Sequence, residues 1–132
     1  DFITTLEKLQ MKMMEKIMVK GIAIECNPSS NHLIGTFDRY EQHPIFRFNH
    51  FGLRPQKHYE SNEQLRVSVN TDDLGVFDTS IENEYALLFG ALCAKRDSEG
   101  NMLFSHDEIL AYIDHLRIMG NDMTFPKAEN TF

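Results

Sequence analysis

Only two stretches of this chain read as strands, and a long, mostly polar or helical segment separates them. The first is the apolar run Gly21-Ile22-Ala23-Ile24, continuing to Cys26. The second alternates Leu65, Val67 and Val69 with Arg66, Ser68 and Asn70, the period of two that a β-strand imposes on its faces. A tight hairpin cannot join strands so far apart in sequence, whereas a crossover connection makes them parallel. Two parallel strands cannot close a barrel, and an open pair leaves its edges exposed. The expectation is therefore an α/β unit that forms only part of a larger sheet.

Helical patterns fill the remainder. Phe2, Ile3, Leu6, Leu9, Met13, Ile17 and Met18 recur at helical spacing with charged residues between them, and Gly21 ends the run. The methionines in this stripe suit packing better than metal binding, because flexible thioethers fill irregular gaps. Pro28 to Gly35 reads as a loop, and Pro44 starts a short helix through Phe51. Arg54 to Asn62 reads as a polar connection. A helix is predicted over Ser80 to Arg96, burying a subset of Ala86, Leu87, Phe89, Ala91 and Leu92. Ser105 with Glu108 three residues later marks a capping box. The helix that follows presents Ile109, Leu110, Ile113, Leu116 and Ile118, with Gly120 as its stop.

A length of 132 residues suits one domain, 1–132. The first residue is Asp1 rather than Met, so a processed, trimmed or excised amino terminus is expected. Thirteen Lys and Arg against 20 Asp and Glu give a net charge of −7, with no basic cluster to follow a phosphate backbone. Nucleic acid is therefore disfavoured as the main partner, while a small nucleotide is not. Cys26 and Cys93 form no C-x-x-C pair, which suits a reducing cytoplasm. There is no signal peptide and no apolar run long enough to span a bilayer.

The second strand runs straight into Thr71-Asp72-Asp73. Adjacent strand residues face opposite ways, so the two carboxylates cannot serve the same purpose. One can turn to a metal while the other reaches a substrate. The plain alternative is that Asp, a common turn former, is simply leaving the sheet. A D-D-x-x-x-x-D spacing to Asp78 also matches the aspartate-rich magnesium motif of prenyl-transferring enzymes, but that motif belongs on a long helix and the alternating run argues against one.

Taken in order, Glu25-Cys26-Asn27-Pro28-Ser29-Ser30-Asn31, His43-Pro44-Ile45, Val67-Ser68-Val69-Asn70-Thr71-Asp72-Asp73 and the helix with Glu84-Tyr85 resemble the C-terminal part of the adenosine and AMP deaminase family. The resemblance spans Ile3 to Phe125; V-S-V-N-T-D-D is its most specific element and H-P-I its weakest. Asn27 stands where the family often has Cys, and Leu74 where it often has Pro, which hints at a divergent branch. The resemblance implies strands seven and eight of a (β/α)₈ TIM barrel, incomplete in this chain. It implies zinc-dependent hydrolytic deamination of adenosine or an adenine nucleotide, with Asp72 as zinc ligand and partner of the attacking water. Asp73 would hold the purine through an imidazole-ring nitrogen. The family's other zinc ligands, an H-x-H pair and a further His, have no counterpart among His32, His43, His50, His58, His106 and His115. The chain alone is thus expected to be inactive, needing the rest of its own barrel; a catalytically dead barrel that binds nucleotides or scaffolds a complex is the alternative. His43 reads as structural, and His106 and His115, in or beside the last helix, as solvated or capping; His32, after the P-S-S-N loop, lies near the catalytic face, with a substrate contact the lesser of its readings. Glu25 is expected to bond a neighbouring loop or to support the metal shell, and Ser29, Ser30 and Asn31 to rigidify the loop after the first strand. Whether the substrate is a nucleoside or a nucleotide, and whether the protein is an oligomer, stay open.

Overall fold

A computed structural model describes residues 2–54 and 64–124. The connection expected over Arg54 to Asn62, with His58, falls almost wholly outside the described residues. Helix α1 (Phe2–Val19) leads into strand β1 (Ala23–Cys26), then α2 (Pro28–Ile34), a 3₁₀ turn at Tyr40–Gln42, and α3 (Ile45–Phe48). Strand β2 (Arg66–Val69) follows, then α4 (Leu74–Phe77), α5 (Ile81–Ala94) and α6 (His106–Asp122). The strands pair in parallel, with Ala23 opposite Arg66 and Cys26 opposite Val69. An α/β arrangement with crossover-linked parallel strands is what the sequence led one to expect.

The core lies on one face of β2. Leu65, Val67 and Val69 are buried, while Arg66 between them is exposed. Against them pack Ile45 and Phe46 of α3, Leu88, Ala91 and Leu92 of α5, and Ile109, Tyr112 and Leu116 of α6. Each fully buried aliphatic or aromatic side chain contributes roughly 1.5–3 kcal/mol. Asn49 fastens the layers from inside: its Nδ2 donates to the Leu65 carbonyl at 2.9 Å, and its own carbonyl accepts from the Tyr112 hydroxyl at 2.8 Å. Capping of α6 is as expected, with the Ser105 hydroxyl accepting from Glu108 N and the Glu108 carboxylate from Ser105 N.

Several expectations are corrected. Pro28 to Gly35 is mainly helix, not loop, with Pro28 in the first turn where its missing N–H costs nothing. Strand β1, for all its apolar composition, buries only Cys26 of its four residues. Of the subset expected in α5, Ala91 and Leu92 are buried while Ala86 is exposed, and Glu84 and Leu88 are buried besides. Leu110 and Ile118 are exposed, and Tyr112 takes their place in the α6 core stripe. Gly120 does not stop α6, which continues to Asp122. A Cβ at Gly120 would lie 3.9 Å from the Tyr85 hydroxyl and 4.0 Å from Ser68 Cβ, ordinary contact distances, so the packing there has room for a side chain.

Two surfaces are unfinished. Helix α1 buries Met14 alone, leaving Phe2, Ile3, Leu9 and Met13 open to solvent. Beyond β2 the sheet has no further strand among the described residues, and α6 lies along that side. There the Val67 N–H donates to Met119 Sδ at 3.1 Å. No helix among the described residues is long and apolar enough to cross a membrane.

Candidate functional site at the strand ends

Parallel strands present their C-terminal ends together, where α/β folds place their chemistry. Here β1 ends against the start of α2, and β2 ends at Thr71-Asp72-Asp73, side by side with it; the Asn70 N–H to Cys26 carbonyl bond of 2.9 Å is the last rung of the ladder. Asp72 is exposed and adopts φ 57°, the left-handed region that Asp and Asn enter more readily than most residues. Its Oδ2 accepts from the Ser30 hydroxyl of α2 at 2.9 Å.

Asp73 is engaged differently. Its Oδ1 caps α4, accepting from Gly75 N and Val76 N, both at 2.9 Å. The turn-forming reading of an aspartate at a strand end is thus realised, yet it occupies one carboxylate oxygen only. The two neighbours do part company, Asp72 being tied back to α2 and Asp73 forward to α4.

Glu84, at the fourth position of α5, is fully buried. Its Oε2 accepts from Ser29 N at 2.8 Å and its Oε1 from the Thr79 hydroxyl at 2.5 Å. In the sequence Glu84 stands only as a motif letter, and this contact escapes notice there. The signal available was a carboxylate on the inward side of an otherwise apolar stripe.

His43 is buried and fixed at both nitrogens. Nδ1 accepts from Ile45 N at 3.1 Å, so Nε2 carries the proton and donates to Asn31 Oδ1 at 3.1 Å. Burial pushes its pKa down to about 4, so the ring is neutral at physiological pH, in keeping with a structural role. His32 packs its ring on Tyr40 and Phe37, with centroids 4.5 and 5.7 Å away. No contact brings it to either aspartate among the described residues. His106 opens α6 beside the Phe89 ring, and His115 stacks on Phe51. Glu25 is exposed and accepts from Asn27 Nδ2 at 3.3 Å, a local bond rather than support for a metal shell. Burial, reinforced by the Glu25 charge, pushes the Cys26 thiol up to about 12, so it is inert as a nucleophile. Cys26 and Cys93 are both free thiols.

Among the described residues no three His, Cys, Asp or Glu side chains converge as a metal site. Asp72 nonetheless fits a share in one: carboxylate oxygen is a proper zinc donor, Ser30 fixes one of its oxygens, and no described residue occupies the other.

Comparison with known proteins agrees with this geometry. The family model "Adenosine deaminase" matches residues 6–97, well over half the chain. The adenine deaminase of Rhizobium meliloti (strain 1021) is 29% identical over 80 residues, covering 61% of this chain and 21% of that protein. The adenosine deaminase of Shewanella denitrificans (strain OS217) is 32% identical over 77 residues, covering 58% of this chain and 20% of the relative. The chain therefore spans about a fifth of the length of the curated relatives it matches. No solved structure gives a significant match. With the strand-end aspartates inside the matched region, the chain belongs to the adenosine deaminase family.

Proposed function

We propose that this chain is the C-terminal portion of a zinc-dependent deaminase of adenosine or an adenine nucleotide, and that β1 and β2 are strands seven and eight of its (β/α)₈ barrel. The observation that carries the reading is the divided engagement of Asp72 and Asp73 at the end of a parallel strand. Family membership and the parallel pairing support it.

In this reading Asp72 contributes one carboxylate oxygen to zinc while Ser30 fixes the other, so the ligand approaches from one direction only. The remaining ligands come from outside the described residues. Zinc, when bound, supplies a water acidic enough to act as nucleophile near neutral pH. Asp72 would help to hold the metal and, as a hydrogen-bond acceptor, would orient the attacking water towards the purine carbon that bears the amino group. Asp73 has Oδ1 committed to the α4 cap, and this leaves Oδ2 to meet a ring nitrogen of the substrate. The N-cap bonds hold the Asp73 side chain in one rotamer, so the ring is met by a group already in place. Ammonia departs as the product.

The test is Asp72→Asn in the intact protein, which keeps the left-handed backbone and a partner for Ser30 but removes the charge. Zinc content and release of ammonia from adenosine and AMP are measured. Loss of both supports the reading; unchanged turnover would remove this strand end from the active site. A dead barrel predicts no turnover in the unaltered protein either.

A further inference from the structure

Glu84 is a buried carboxylate with no countercharge. Neither ion pair among the described residues includes it, and its partners are a backbone N–H and a hydroxyl. Burying a charge in this way is costly, and a well-packed apolar side chain of similar size would cost less. Both oxygens are nevertheless satisfied, and one reaches across 55 positions in sequence to the first turn of α2. That turn lacks the usual cap: Asn27 precedes the helix with no side-chain cap bond. The Glu84 carboxylate supplies the missing acceptor, taking the hydrogen bond from Ser29 N. The next residue is Ser30, whose hydroxyl donates to Asp72 Oδ2.

A continuous chain of bonds therefore runs from the Thr79 hydroxyl through Glu84 and the Ser29 amide to Ser30 and Asp72. It joins α5 to the strand-end aspartate through α2. We propose that Glu84 is a positioning residue for Asp72, fixing the start of α2 so that Ser30 holds one carboxylate oxygen and turns the other towards the metal. The proposal rests on the deaminase reading of Asp72. Glu84 touches neither metal nor substrate; its effect passes through Ser30. Asp72 needs such a restraint, because it is exposed at the tip of the strand and its left-handed backbone fixes Cβ but not the carboxylate torsion.

The experiment is a double-mutant cycle in the intact protein with Glu84→Gln and Ser30→Ala. It reads kcat and KM for adenosine and AMP, zinc affinity by competition with a chelator, and the urea midpoint. Gln keeps the size of the side chain but cannot accept from both donors. Each single variant is expected to lower kcat about ten- to a hundredfold, the worth of a hydrogen bond to a charged group, with KM nearly unchanged and zinc held more weakly. The double variant should be no worse than the poorer single, because the two residues act in series. Thr79→Val removes one donor to Glu84 without altering the carboxylate; it should give the same pattern in smaller measure, and it serves if Glu84→Gln does not fold. A lowered urea midpoint with unchanged kcat and zinc affinity would make Glu84 merely structural and overturn the proposal, as would additive losses. Asp72→Asn is measured alongside. If it loses turnover while Glu84→Gln and Thr79→Val do not, the positioning role falls and the site reading stands. If Asp72→Asn keeps turnover, both fall.

Discussion

In the proposed site Asp73 has one role on each oxygen, the α4 cap and a substrate contact, and substitution can separate them. Ala removes both, whereas Ser keeps an oxygen that caps about as well as Asp but cannot extend towards a substrate. The cap consists of two N–H bonds of 2.9 Å on an exposed helix of four residues. Losing an N-cap costs about 0.5–2 kcal/mol, and exposure of α4 places this one near the lower end, about 0.5–1 kcal/mol. With a urea dependence of about 1–3 kcal/mol/M, the midpoint for Asp73→Ala should fall by roughly 0.2–1 M, and that for Asp73→Ser hardly at all. Turnover should divide otherwise. Both variants lose the bond to the ring nitrogen, worth about 1.5–3 kcal/mol, so both should lose about ten- to a hundredfold in kcat/KM before any misplacement of the ring. The assays are urea denaturation and ammonia release by the intact protein. A Ser variant as unstable as Ala would refute the cap argument, and a Ser variant with near-normal turnover would refute the substrate contact.

Three further outcomes are expected. His43 has its pKa lowered from 6.5 to about 4 by burial, so the unfolded chain binds this proton first; the stability it contributes is complete above pH 6.5 and is lost as pH falls to 4, by about 3 kcal/mol at most. His50 is shifted in the same direction, so a His43→Gln variant should reduce the slope of urea midpoint against pH in that window without abolishing it, and an unaltered slope would count against the argument. Ser105→Ala should cost about 1 kcal/mol by breaking the reciprocal cap of α6, read from the thermal or urea midpoint. Chain 1–132 by itself, dialysed against zinc and analysed for metal, should hold none stoichiometrically, because among the described residues no three metal-ligating side chains converge.

What could be read from the sequence followed from local periodicity. The alternation of Leu65, Val67 and Val69 gave β2 its buried face, and Ser105 with Glu108 announced α6, because both signals lie within a few residues of what they specify. Helix α2 was illegible for the opposite reason. Pro28-Ser29-Ser30-Asn31 has the composition of a loop, and the acceptor for its first turn comes from Glu84, far along the chain. Gly120 has the residue type of a helix stop, yet α6 runs on through it to Asp122. The paired aspartates were legible as a candidate site by type and order; that one of them caps a four-residue helix became apparent only from the geometry.

The bond from Val67 N–H to Met119 Sδ gives the outer margin of the sheet an exchangeable closure. A thioether is a weak acceptor beside a backbone carbonyl. A strand laid parallel to β2 on that side would offer the Val67 amide a carbonyl oxygen in place of sulfur. The margin is in effect latched rather than sewn. The Val67 amide should accordingly exchange with solvent deuterium sooner than that of Asn70, whose carbonyl partner lies inside the strand pair.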